Sequence, residues 1–343
     1  MSFTKTEKKQ LLIYVIIAYG ITYVLGLLMW YGYGKGLDLS VFPNAQMLYP
    51  AAGVMLAYLI TRKDDKSLPK LFYIFFIVLT AVLIFCSAAS VLAPKNIDIM
   101  GTPFSQWTLI MQYTVIGGSI IFWILLLVSG KERRRAYGLN GNLWKTSVLM
   151  VLLFLGLYLL RFVIASALGG QLSEFGQIMM NPTTWIMFCS ILVNFFLSVV
   201  AFFGEEYGWR YYLQPLLQKK YGLKGGVILL GCVWAVWHLP IDFFYYTTPD
   251  MGLAALASQF VTCITLGIFM AYAYMKTQNI WVPVMIHFLN NNMAMVVSGV
   301  YSPEVLENQQ IHWGDIPVAL VMNMLIFGWV IFLKPFKEKK ILQ

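Results

Sequence analysis

The sequence predicts an all-α, polytopic integral membrane bundle of about ten helices, and three observations carry that prediction. Only 11% of the 343 residues are charged and 59% are hydrophobic, against about 25% charged in an ordinary globular domain, so most of the exterior must face lipid. Apolar runs of about 20 residues, the length that crosses a bilayer as a helix, recur along the whole chain. The connections between these runs alternate between basic and nearly uncharged, as the positive-inside rule demands of a multi-pass protein.

In chain order the runs are 11–31, 46–61, 71–93, 107–129, 146–168, 184–204, 226–243, 254–275, 280–299 and 316–333. The first is long enough to span and lacks a small-residue cleavage site, so it reads as a transmembrane helix and not a signal peptide. The second is short and holds Pro50. With both termini on the cytoplasmic side, the inside segments carry every one of the 24 Lys and Arg residues except Lys35, Lys95 and Arg161. Lys35 and Lys95 fall in outside connections, and Arg161 lies within the fifth run. A missed or invented span would scramble this pattern. It places the chain in the cell membrane and divides it into an N-terminal four-helix region, 1–145, without a recognised motif, and a core, 146–343.

The net charge of +9 does not indicate nucleic acid, because the basic residues sit in short clusters between apolar runs, where they set topology and meet anionic lipid. Cys86, Cys189, Cys232 and Cys263 each lie in an apolar stretch without a close-spaced partner and read as free thiols. No internal repeat is evident, which argues against a transporter built from matching halves.

Ionisable groups inside a membrane cost roughly 2.5–3.5 kcal/mol each on insertion scales, so those retained there are functional candidates. Three places stand out: Glu205, Glu206 and Arg210 in "EEYGWR"; His238 in "VWAVWHLP"; and His287 with Asn291 in "VMIHFLNNN". On a helix Glu206 and Arg210 are i,i+4 and can pair, which turns Glu205 about 100° away. His287 and Asn291 share a face in the same way, with Asn290 a weaker competitor. Were the sixth helix to run on to about Gln218 and the next to start after Gly225, Glu205 and His238 would each lie roughly 20 Å along neighbouring antiparallel arms, at one level. His287, about 9 Å past Trp281, is expected to be shallower. Each feature alone has a plain structural reading: an interfacial ion-pair cluster, a hydrogen-bonded core histidine, a polar pair joining two helices. Arg161 reads as a structural counter-ion, with Glu206 a candidate partner. Of the three histidines, His312 falls in an outside loop and is expected to be dispensable.

Taken together, "EEYGWR", an aromatic residue four positions before His238, and "HFLNN" resemble the three motifs of the CAAX-protease and bacteriocin-processing family of intramembrane peptidases. The likeness covers about residues 184–300. The family usually has Phe where this chain has Trp234, a change that keeps an aromatic wall. The resemblance implies that Glu205 activates water, that His238 helps to hold it, and that His287 and Asn291 stabilise the oxyanion, with Glu206 and Arg210 a supporting ion pair. One carboxylate and two imidazoles are also the ligand set of a catalytic zinc, so Glu205, His238 and His287 are the zinc ligands if a metal is used. Asn291 beside His287 suits an oxyanion pocket better than a zinc shell and favours a metal-free site. The chain has no H-E-x-x-H, no membrane-embedded aspartate pair and no convincing serine with a partnered histidine.

The expectation is therefore an intramembrane endopeptidase whose site opens toward the cytoplasmic half of the bilayer. It acts on a membrane-associated peptide or protein, lipidated or not; nothing in the sequence sets an oligomeric state. The alternatives are a non-proteolytic binding protein on the same scaffold, such as a bacteriocin-immunity or regulatory factor, and a proton- or ion-coupled transporter.

Overall fold

The computed structural model describes residues 2–99, 101–301, 307 and 309–337. Every predicted apolar run falls on helix. The first helix, α1 (Lys5–Tyr33), begins six residues earlier than the sequence suggests. Thr4 and Glu7 form a capping box there: the Thr4 hydroxyl accepts from the Glu7 amide at 3.1 Å, and the Glu7 carboxylate accepts from the Thr4 amide at 2.8 Å. Such a box satisfies two otherwise unpaired donors. There follow α2 (Val41–Gln46), α3 (Tyr49–Thr61), α4 (Lys70–Leu92), α5 (Gln106–Val128), α6 (Lys131–Ala136), α7 (Trp144–Leu168) and α8 (Leu172–Met180). The short helices α2, α6 and α8 sit in connections and carry no signal a span-length search would find. Nor does the hairpin of β1 (Asn96–Ile99) and β2 (Thr102–Ser105), in which Asn96 pairs with Ser105.

The second half runs α9 (Pro182–Glu206), α10 (Gln214–Trp237), α11 (Leu239–Ile241), α12 (Gly252–Thr277), α13 (Trp281–Val297) and α14 (Asp315–Ile326), the last followed by a 3-10 segment, Gly328–Phe332. Between α9 and α10 the chain passes through a π-helical segment, Tyr207–Leu213. It then reverses inside α10 at Gly222, whose φ of 78° and ψ of 167° break the helix, a conformation glycine adopts without strain. The predicted seventh run, 226–243, is thus an arm that starts nearer Gly222 and ends at Trp237; residues 239–246 form helical and π turns beyond it.

Six helical stretches among the described residues are long and apolar enough to cross a membrane unaided, and one of them, Pro182–Trp237, is the 56-residue folded-back pair. The helices α3, α13 and α14, with 13, 17 and 12 residues, fall short of the ~20 a full crossing takes. Among the described residues helix underlies each predicted run, but α3, α13, α14 and the arm between Gly222 and Trp237 do not span on length alone. The chain is a multi-pass helical membrane protein.

Contacts between connections support the alternation of faces. Lys219 and Glu7 pair at 2.7 Å, the Tyr137 hydroxyl donates to Asp65 at 2.6 Å, and the Asn142 amide donates to the Gln278 carbonyl at 3.0 Å. All six residues lie in or beside segments assigned to one side. On the other side the Thr108 hydroxyl donates to Asp38, and the Tyr245 hydroxyl to Glu307 at 3.0 Å. Of the C-terminal basic residues assigned to the first side, Lys339 and Lys340 lie outside the described residues.

Candidate active site

The six residues of "EEYGWR" straddle the junction of α9 with the π-helical segment, and each has a distinct contact. Glu206 meets Arg210 at 3.0 Å, with both side chains fully buried; the i,i+4 pairing expected from helix geometry survives the wider turn. Glu205 points elsewhere. One of its oxygens, Oε2, accepts from the indole N–H of Trp209 at 3.2 Å and from that of Trp234 at 2.8 Å. Tyr207 anchors the junction to the N-terminal region, sharing a hydrogen bond of 2.6 Å with the Tyr73 hydroxyl and donating to the Tyr137 carbonyl at 2.9 Å. Gly204 and Gly208 bracket the two carboxylates. A methyl group on Gly204 would lie 2.4 Å from the Met47 carbonyl oxygen, and one on Gly208 2.3 Å from the Pro50 Cβ. The two glycines therefore let α9 press onto the α2–α3 junction from behind the glutamates. Residues 1–145 form the back wall of the site.

His238 terminates α10. Its Nδ1 lies 2.8 Å from the Trp234 carbonyl, and because a carbonyl can only accept, Nδ1 carries the proton and Nε2 keeps its lone pair. His287 is 4% exposed and sets its Nδ1 2.9 Å from Glu206 Oε1, while its Nε2 is 3.4 Å from the Asn291 amide nitrogen. The Asn290 amide donates to Asn291 Oδ1 at 3.0 Å, so Asn290 orients Asn291 instead of competing with it. At the start of α13, Trp281 packs against Trp123 at 5.2 Å and Phe203 at 5.7 Å and donates its indole N–H to the Leu139 carbonyl at 3.1 Å. Six residues on, the His287 ring reaches Phe202, Trp234 and Glu206, so the helix brings it to the glutamates despite the short run expected from the sequence.

Trp234, His238, His287, Asn290 and Asn291 line one cavity of about 220 Å³. Glu205 and Glu206 are not on its surface but sit behind it, Glu205 under the Trp234 indole. The cavity also takes in Tyr246, Gln309 and Ile311, which belong to the poorly basic face. The expected opening toward the basic-loop half therefore has to be weighed against a lining drawn in part from connections of the other face. Arg161 is not a counter-ion for Glu206, whose partners are Arg210 and His287. It donates to Asn323 Oδ1 at 3.2 Å and lies over the Tyr158 ring at 5.0 Å. His312 is exposed and, unlike its neighbour Ile311, is not among the residues that line the cavity.

Two roles went unread in the sequence. Trp234 is more than an aromatic wall, because its indole nitrogen gives Glu205 a donor that a phenyl ring lacks. Asp242, which also lines the cavity, is an ionisable group within a predicted span, and the cost of placing one there was signal enough to find it.

The same side chains do not form a zinc ligand set. Among the described residues no group of three or more His, Cys, Asp or Glu is arranged to hold a metal ion. Glu205 Oε2 is engaged by two indoles and His287 Nδ1 by Glu206. The set Glu205, His238 and His287 is not assembled for coordination as it stands, and no step below is routed through a metal.

Residues 185–293, which include all six motif residues discussed above, match the family described as type II CAAX prenyl endopeptidase, Rce1-like. That stretch carries the likeness to CAAX-type prenyl endopeptidases. A curated relative from Methanococcus maripaludis named CAAX prenyl protease 2 is 27% identical over 253 residues, covering 71% of this chain and 89% of the relative. No solved structure matches the chain. Both likenesses, set on a multi-pass helical chain, support a membrane endopeptidase.

Proposed function

We propose that the protein hydrolyses a peptide bond of a membrane-associated peptide or protein with water activated by Glu205. The observation that carries this reading is the convergence of His238, His287 and Asn291 on one cavity wall, with Glu205 directly behind it. His238 Nε2, left with a lone pair, accepts an O–H of the water and orients it. Glu205 takes the other proton as the oxygen attacks the carbonyl carbon, and later delivers it to the departing amine. The carbonyl oxygen, now anionic, accepts from the Asn291 amide and from His287 Nε2–H when the imidazole is protonated against Glu206. Such preorganised donors are worth most in a site that excludes water. Trp234 must swing aside for water to reach Glu205, which makes its indole a shutter over the base.

We place the basic face in the cytoplasm and the chain in the cell membrane. The cavity then faces the outer half of the bilayer, and the substrate is one that reaches that side. A lipid-bearing substrate, of the kind the archaeal relative's name gives for that protein, belongs to the same class. The test compares new peptide termini in membranes of a host making the wild-type protein or Glu205→Gln, which keeps shape and removes the base. Termini present with wild type and absent with the variant are expected; identical termini would replace the peptidase with a non-cleaving binding protein.

A further inference from the structure

Asp242 is 1% exposed, and among the described residues its Oδ2 has no hydrogen-bond partner. It lies on the cavity wall four residues beyond His238, in the π turn Asp242–Tyr246. Buried carboxylates are kept where something pairs with them, and no Lys or Arg is among the residues lining this cavity. Arg210, the fully buried arginine of the neighbouring ion pair, is committed to Glu206 and to the face of Trp234 at 4.6 Å. The missing partner is therefore not supplied by the described chain.

The wall contributed by α12 points the same way. Ser258, Gln259, Thr262 and Cys263 recur at three- and four-residue spacing on one face of an otherwise apolar helix and line the same cavity. Their hydroxyl and amide oxygens are acceptors, suited to the remaining N–H bonds of a group whose first N–H goes to Asp242. At about 220 Å³ the cavity is far larger than the space one water needs and has room for a side chain. We infer that Asp242 docks a positively charged nitrogen of the substrate, a lysine- or arginine-like side chain close to the bond that is cut. This deepens the peptidase reading and rests on it for the word substrate; the binding site itself does not. An acidic side chain or a free C-terminal carboxylate is disfavoured in the same place.

The test uses the full-length protein in detergent with three six-carbon probes: hexylammonium, hexanol and hexanoate. Wild type is expected to bind hexylammonium at least about tenfold more tightly than hexanol, the lower end for a hydrogen bond to a charged group, and hexanoate least. In Asp242→Asn the ammonium advantage should vanish, whereas in Glu205→Gln it should persist. Asp242→Asn relieves an unpaired buried charge and is expected to melt no lower than wild type. The probe series in the wild-type protein stands even if the variant does not fold. Equal binding of the three probes by wild type, or an unchanged preference in Asp242→Asn, overturns the inference. Matched peptides carrying Lys, norleucine or Glu at successive positions then separate the two readings. A rise in KM confined to the Lys peptide with kcat unchanged in Asp242→Asn supports both. Selective ammonium binding with no peptide cut defeats the peptidase and leaves the Asp242 site, and cleavage indifferent to peptide charge defeats the site and leaves the peptidase.

Discussion

Replacing Glu206 with glutamine isolates the buried ion pair. Arg210 is fully buried, its Nε 3.0 Å from Glu206, with Nη2 3.6 Å from the Met270 sulfur and the guanidinium over the Trp234 ring. Neither Nε nor Nη1 makes an aligned hydrogen bond among the described residues, so the carboxylate charge is what Arg210 has. Breaking a buried pair by removing one partner costs about 3–5 kcal/mol. A glutamine oxygen in place of Oε1 still accepts from His287 Nδ1–H, a hydrogen bond worth about 1 kcal/mol, so Glu206→Gln should destabilise by roughly 2–4 kcal/mol. The assay is thermal unfolding in detergent of wild type, Glu206→Gln, Arg210→Met and the double variant, a cycle that extracts the pairwise interaction. Removing both charges is often neutral or stabilising, so the double variant should melt well above Glu206→Gln. It should remain inactive, because His287 Nδ1 has lost the carboxylate 2.9 Å away. A Glu206→Gln protein that melts like wild type, or a double variant no better than the single, would refute this account of the pair.

Three further outcomes are expected. Asn291→Ala should lower kcat about a hundredfold, the usual loss for one oxyanion donor, with KM little changed in steady-state kinetics. Purified protein should keep its activity after exhaustive treatment with a strong zinc chelator; loss that stoichiometric zinc restores would make Glu205, His238 and His287 metal ligands. Cysteine tags at Glu132 and Glu174 should be labelled by an impermeant reagent from opposite sides of the membrane, and labelling from one side would undo the alternation of faces.

What the sequence shows of this site depends on distance along the chain. Glu206 with Arg210, and Glu205 turned away from them, were legible because one helix turn fixes them, and the π segment does not disturb that spacing. Helical runs were legible from apolar length, although α3, α13 and α14 prove too short to cross alone. Arg161 found Asn323, 162 residues away, and Trp234 found Glu205 across 29; such pairings follow from how helices pack, which no local pattern encodes. The meeting of His287 with Glu206, 81 residues apart, likewise depends on how α13 packs against α9 and not on residue counts along one helix. The side on which the cavity lies depends on the turns after His238, which read as the tail of a span. Asp242 is different: its burial inside a predicted span was visible in the sequence and was passed over.

The glycine seam at Gly204 and Gly208 bears on how much of this chain is needed for a working enzyme. The family match spans 185–293, and it is tempting to treat that stretch as a portable unit. Yet the backbone of the two glycines beside the glutamates packs directly on Met47–Pro50, from the region that carries no motif. A fragment beginning at 146 would lose that cover at the very turn that aims Glu205. Laboratory efforts to trim, transplant or circularly permute the protein therefore have to carry that wedge along.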